Sequence, residues 1–316
     1  MANASVAYSL KDFGSYTVGG RQVVIQDRPT QDVWFTPSVR FTYDPNGVYA
    51  IEHAYVQYYV PAARNTSPPV LLLHGGGMTG TTWETTPDGR PGWLHLLLQQ
   101  GFEVHVVDSV ERGRAGWCAV EGVWSGTALQ RTLQEAWRLF RIGRHQDFSS
   151  RIPFTGQRFP ATAFDTFSRS FVPRWTTTTA PASAAISALI RRVGEAIVVC
   201  HSQGAQIAFG IERSEIDSIR AIVAVEPSGF PAHSDDWSQT PILLMYGDFH
   251  GAAKSDPNLL DMGNAWLRTS PAKTRHVTKL WLPDAGVVGN SHMMMMDTNS
   301  DDVLKHAIAW LDTLHV

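Results

Sequence analysis

Cysteine is nearly absent from this chain, with Cys118 and Cys200 the only two residues of their kind. Two cysteines build no disulfide framework, and neither sits in metal-site spacing. No apolar run approaches the ~20 residues that a membrane-spanning helix needs. Met1 to Val6 has neither the basic start nor the apolar stretch of an export leader. The expected compartment is the cytoplasm if the chain is complete, and the periplasm or the exterior if a leader was removed. Excess basic charge is missing too, since 26 Lys and Arg against 29 Asp and Glu leave a net charge of −3. Such a chain has no electrostatic footprint for nucleic acid. Internal repeats and low-complexity tracts are lacking. What is there is a globular composition, 43% hydrophobic and 17% charged over 316 residues, which can bury one large α/β core.

The most informative stretch is Cys200-His201-Ser202-Gln203-Gly204. The β-branched run Ala196 to Val199 precedes it, and Ala205 to Phe209 follows with helical apolar spacing. Strand, sharp turn and helix form the setting of a nucleophile elbow, which lifts a serine Oγ clear of a sheet edge. The tight turn demands small residues two before and two after the serine. Gly204 meets that demand, and Cys200 stands where a first glycine is usual. An ordinary Ser-Gln-Gly turn is the plainer alternative.

Taken in order, residues 5–60 read as β-rich, with Val6 to Phe13 and Tyr16 to Ile25 as a hairpin and Ala50 to Val60 as a strand. Val70 to Leu73 is apolar on both faces, as a buried parallel strand should be. It ends in His74-Gly75-Gly76-Gly77-Met78-Thr79-Gly80. No Gly-Lys-Ser/Thr follows, which argues against a phosphate loop. The pattern fits an oxyanion loop, where glycines let backbone N–H groups face a carbonyl oxygen. A helix is expected over Gly92 to Gln100 and a strand over Phe102 to Asp108. Arg112 and Arg114 in the next loop either steer an anion or brace the loop, and bracing is the commoner role.

Residues 117–180 break the strand–helix rhythm. The spacing of Leu129, Leu133, Ala136, Trp137 and Phe140 predicts a helix over Thr127 to Arg141. The rest is loop-like but aromatic, and reads as a cap supplying an apolar pocket, although for most of its rings simple packing of the cap against the body is the safer reading. Thr176 to Ala180 reads as a linker and Ala182 to Val193 as a helix. Strands follow at Ala221 to Val225, Ile242 to Tyr246 and Val277 to Leu282, and the chain closes with a helix over Asp301 to Leu314. This is the order of a single, mostly parallel, doubly wound α/β-hydrolase domain spanning residues 1–316, with a cap insertion at about 117–180.

A serine hydroxyl needs a base, and the base needs a carboxylate to hold its tautomer. In this fold the acid and then the histidine follow the serine. His292 lies between the last strand and the last helix, where the base belongs. His276 precedes a strand and His306 falls inside a helix. His74 and His201 suit structural or orienting roles. The acid is ambiguous: Asp248 and Glu226 each follow a strand, and the pattern alone slightly favours Asp248. Met293 to Met296 reads as an apolar segment behind His292 rather than a metal or redox box. Trp83 and Glu84 are expected to fix the segment after the oxyanion loop.

Several blocks resemble a small group of bacterial carboxylesterases of the α/β-hydrolase superfamily with a Ser-Glu-His triad, related to enzymes that de-esterify sulfonylurea herbicides. They are His74-Gly75 with Met78-Thr79-Gly80, Thr82 to Arg90, Gly113-Arg114, Ala136-Trp137, His201-Ser202-Gln203, Val225-Glu226-Pro227, Gly247-Asp248 and Gly289 to Met295. The resemblance implies Ser202 as nucleophile, His292 as base and Glu226 as acid, reversing the preference for Asp248. It also implies oxyanion donors at the N–H groups of Gly76 and Gln203. Gly76-Gly77 stands where a family member can carry two adjacent cysteines, so a vicinal disulfide cannot shape this loop, and a more flexible loop is expected.

The expectation is a serine carboxylesterase for a small apolar or aromatic ester, with no cofactor and no metal. Its partner is a small-molecule ester, and a homodimer is left open. Another bond (lactone, thioester, amide or carbon–carbon) is the alternative, because fold does not fix reaction. Serine rather than aspartate at the elbow disfavours dehalogenation. A non-catalytic binding protein should lack a triad element, and candidates for all three are here.

Overall fold

The computed structural model describes residues 8–252, 258–269 and 276–315. Strands β1 (Leu10–Ile25), β2 (Gln31–Thr36), β3 (Val39–Tyr43) and β4 (Gly47–Pro61) come first, followed by β5 (Val70–Leu73), helix α1 (Trp93–Gln99) and β6 (Val104–Asp108). An insertion carrying α2 (Leu133–Leu139) and α3 (Phe164–Ser168) then intervenes. The chain continues as α4 (Thr179–Val193), β7 (Ala196–His201), α5 (Gln203–Phe209), β8 (Ile219–Val225) and β9 (Ile242–Tyr246). It ends with α6 (Leu259–Thr269), β10 (Val277–Trp281) and α7 (Ser300–Thr313).

Eight strands form one sheet in the order β1-β4-β6-β5-β7-β8-β9-β10. It is parallel from β6 to β10, with β4 and β1 added antiparallel at one edge. Strands β5, β6, β7 and β9 are buried at every position and mostly apolar, because both faces of the sheet are covered. Their residues divide by the period of two. Leu72, Val106, Val199 and Val223 join a core with α1, α7 and the insertion. Leu71, Leu73, Val198, Cys200 and Leu244 join the opposite core with α4 and α5. The expected doubly wound α/β fold is therefore present. No helix among the described residues is long and apolar enough to cross a membrane.

Three local expectations need correction. The hairpin within Val6 to Ile25 is instead one continuous strand, β1, paired along β4; the expected start at Val6 lies outside the described residues. Gly14 and Ser15 lie opposite Tyr58 and Gln57, and a Cβ on Gly14 would sit 2.9 Å from Tyr58 Oη. Gly14 thus marks a close approach in a strand, not a turn. The insertion helix is shorter than Thr127 to Arg141, because the Thr132 hydroxyl caps it by accepting from the Glu135 N–H at 3.2 Å. Residues before it run extended instead, with Leu129 bridged to Arg174. Helix α4 starts at Thr179, inside the expected linker. The β2–β3 hairpin and α6 were not anticipated.

Most aromatic residues of the insertion pack it against the body, the safer of the two expected roles. Trp137, Phe148, Phe159, Phe164 and Phe167 are buried in the core with α1 and α7. Trp137 and Phe164 meet edge to face at 5.1 Å, and so do Phe159 and Phe167 at 5.2 Å. These rings fasten the insertion to the sheet.

Candidate active site

Ser202 joins β7 to α5 with φ 51° and ψ −114°, and its side chain does not cap the helix. Such backbone costs about 1–3 kcal/mol and persists only where neighbours over-determine it. Here the Ser202 N–H donates to Val225 O at 3.0 Å, and the Ser228 N–H donates to Ser202 O at 3.2 Å. A Cβ on Gly204 would lie 2.7 Å from Leu73 O and 2.8 Å from His74 O, so the helix rests directly on β5. Cys200 is wholly buried, and burial pushes its thiol far up, which makes it inert.

Glu226 follows β8 with φ 50°, and its carboxylate is fully buried. One oxygen, Oε1, accepts from Gly247 N–H at 2.6 Å and from Arg141 Nη2 at 2.5 Å. The other, Oε2, lies 3.3 Å from His292 Nδ1. His250 Nε2 stands 3.5 Å from Oε1, a contact rather than a formed hydrogen bond. Burial alone would raise the Glu226 carboxyl, but Arg141, His250 and His292 outweigh it and hold it well below its ordinary range. Asp248 points elsewhere, accepting from Phe249 N–H at 2.7 Å and Gly289 N–H at 3.0 Å. Glu226 therefore faces His292, and Asp248 secures the loop before it.

His292 is held on three sides. Its N–H donates to Phe140 O at 2.9 Å, and its ring stacks on Phe140 at 5.6 Å. Its carbonyl accepts from His201 Nε2 at 3.0 Å, an orienting role for His201. Burial lowers the His292 imidazole's proton affinity against the opposing pull of Glu226. The loop is anchored from behind by fully buried Asp297, which accepts from Ser291 Oγ and N–H at 2.7 Å and from Asn290 Nδ2 at 3.0 Å. Met293 to Met296 are buried in the core, as an apolar backing should be.

His74 shapes the glycine loop. Its Nε2 accepts from Ser109 N–H at 3.1 Å, so Nδ1 carries the proton and donates to Gly75 O at 2.8 Å. Burial, helped by the Arg112 charge, lowers its pKa to about 4 and keeps it neutral. Gly77 adopts φ 73°, and its carbonyl accepts from Val172 N–H of the insertion at 3.0 Å. Arg114 binds buried Asp108 at 2.7 Å, and Arg112 binds Glu111 at 2.8 Å. Both arginines brace.

A pocket of about 360 Å³ brings Gly76, Ser202, Gln203 and His292 together, along with Met78, Phe140 and Arg174. Glu226 lies behind His292, and neither His276 nor His306 lines it. A larger cleft of about 690 Å³, beside Tyr49, Trp117 and Trp124, contains none of these four. Among the described residues, no group of three or more His, Cys, Asp and Glu is placed to hold a metal ion. Sequence reasoning missed Arg141, Arg174, His250 and Asp297. The one available signal was chemical: a buried carboxylate such as Glu226 requires a cation from somewhere in the fold.

Residues 70–313 match the model of an alpha/beta hydrolase family. A solved structure of a novel bacterial esterase superposes with a TM-score of 0.82 at 28% identity, covering 100% of both chains. A probable secreted lipase, phiG, from a fungal species (strain ATCC 74256) is 27% identical over 312 residues, covering 81% of this chain and 85% of that protein.

Proposed function

The chain belongs to the alpha/beta hydrolase family, and on that premise we propose that it is a serine carboxylesterase. Ser202 Oγ attacks the ester carbonyl carbon while His292 Nε2 takes its proton. Ionised Glu226 accepts from His292 Nδ1–H, which fixes the tautomer and stabilises the imidazolium. The N–H groups of Gly76 and Gln203 receive the oxyanion. Gly76 N–H donates to no other group among the described residues, and Gln203 opens α5, where the first amides have no intrahelical acceptor. The imidazolium then protonates the leaving alkoxide oxygen, and the alcohol departs. Water, deprotonated by His292, cleaves the acyl-enzyme and restores Ser202.

The observation that carries this reading is the pairing of His292 Nδ1 with Glu226 Oε2 at 3.3 Å beside a strained serine that lines the same pocket. The similarity to an esterase and to a lipase supports the ester as the bond broken. Most of the insertion's rings pack into the core, so they lend the expected apolar or aromatic ester little support; the pocket wall mixes Met78, Leu139 and Phe140 with Arg131, Glu135 and Arg174. The test is initial-rate hydrolysis of short p-nitrophenyl esters by wild type and Ser202→Ala. Turnover that survives the substitution, or none in folded wild type, overturns the proposal.

A further inference from the structure

Three arginines line the pocket: Arg131, Arg141 and Arg174. Two are neutralised within the chain, Arg141 by Glu226 at 2.5 Å and Arg131 by Glu135 at 2.6 Å. The side chain of Arg174 makes no ion pair and no hydrogen bond among the described residues. The carboxylate of nearby Glu111 is already occupied, by Arg112 at 2.8 Å and by Trp175 N–H at 3.2 Å. Burial disfavours the Arg174 charge, and so do the like charges of Arg112 and Arg131, against a smaller pull from Glu111 and Glu135, both already paired to those arginines. The arrangement stands one anion short.

Its position is specific. The Arg174 N–H and C=O exchange hydrogen bonds with Leu129 at 2.9 and 2.8 Å, which pins the backbone. A Cβ built on Gly76 would meet Arg174 Nη1 at 2.9 Å and Gln203 Oε1 at 3.0 Å. The guanidinium thus flanks Gly76 and Gln203 on the oxyanion side of the pocket. An ester's leaving oxygen must turn toward His292 to be protonated, so the group directed toward Arg174 is the acyl half. A planar guanidinium fork matches a carboxylate in two parallel hydrogen bonds.

We propose that Arg174 receives a carboxylate on the acyl half of the substrate, a few bonds from the scissile carbonyl. The natural ester is then a half-ester of a short dicarboxylic acid, a size that suits the pocket of about 360 Å³. The inference rests on the esterase reading above.

The experiment compares mono-4-nitrophenyl glutarate with 4-nitrophenyl pentanoate, which replaces the terminal carboxylate by methyl. Ser202-dependent turnover of the pentanoate tests the esterase reading by itself. Wild type is expected to prefer the glutarate half-ester in kcat/KM, with the preference shrinking as salt rises. Arg174→Met should lower that preference by on the order of 10- to 100-fold, mainly through KM, and Arg174→Lys should recover part of it. Free glutarate should also inhibit wild-type pentanoate hydrolysis competitively, and pentanoate should inhibit far less, a comparison that needs no variant. Equal turnover of both esters without selective inhibition by glutarate overturns the inference. So does an equal loss on both esters in Arg174→Met, which would assign the guanidinium to the oxyanion instead.

Discussion

Replacing Glu226 by Gln separates the two acids. The isostere keeps the shape but removes the charge proposed to stabilise the His292 imidazolium, and its amide can present N–H to Nδ1 and so favour the wrong tautomer. Loss of an orienting carboxylate in a triad costs about 10⁴ in kcat, or about 5 kcal/mol of barrier. A second effect must be kept apart from the first. Arg141 is 1% exposed in its side chain and pairs with Glu226, so the substitution strands a buried cation, worth about 3–5 kcal/mol of stability. Urea unfolding should report that loss, and the double variant Arg141→Met with Glu226→Gln should regain much of it without regaining turnover. Asp248→Asn removes a carboxylate that accepts from Phe249 and Gly289 N–H groups, which is expected to cost about 1–3 kcal/mol and far less in kcat. Stopped-flow or steady-state ester hydrolysis beside unfolding curves decides the matter. A larger kcat loss in Asp248→Asn, or activity returning in the double variant, would refute the assignment.

Burial lowers His292 below its ordinary range, so the acid limb of kcat/KM should have its midpoint under pH 6.5; a limb centred above pH 7 contradicts this. Gly204→Ala inserts a Cβ at 2.7–2.8 Å from two backbone oxygens of the β5 end, and is expected to cost about 1–3 kcal/mol in thermal unfolding along with at least tenfold in rate. Asp297 has its pKa raised to about 7 by burial. The folded state therefore holds a proton that the unfolded state has released above about pH 4. Its contribution to stability should fall as pH rises from there through 7, and Asp297→Asn should flatten that slope in pH-dependent unfolding.

The middle of the molecule was legible because unbroken apolar runs such as Val70 to Leu73 admit one environment, a strand covered on both faces. The elbow was legible because Ser202 and Gly204 sit between a β-branched run and a helical one. The edges were not: Gly14-Ser15 reads as a turn locally, and only its partner Tyr58 makes it a strand. Glu226 and Asp248 end adjacent parallel strands, so spacing cannot rank them. What ranks them is side-chain direction, and for Glu226 that direction depends on Arg141, which arrives from an insertion 85 residues earlier. Arg174 is equally invisible, since its meaning lies in what it fails to pair with.

The insertion's rings carry a consequence for traffic through the pocket. Trp137, Phe148, Phe159, Phe164 and Phe167 share one apolar cluster with the sheet. Re-wetting them would cost about 1.5–3 kcal/mol each, a total comparable with the whole stability of an ordinary domain. A hinged lid that carried these rings away from the sheet would therefore cost about as much as unfolding. Ester and acid are then expected to pass without that segment lifting, by rotamer changes of side chains lining the pocket, on the fast timescale of such motions. Selectivity in this molecule is a property of a fixed aperture, and altering it means recarving a wall instead of lengthening a door.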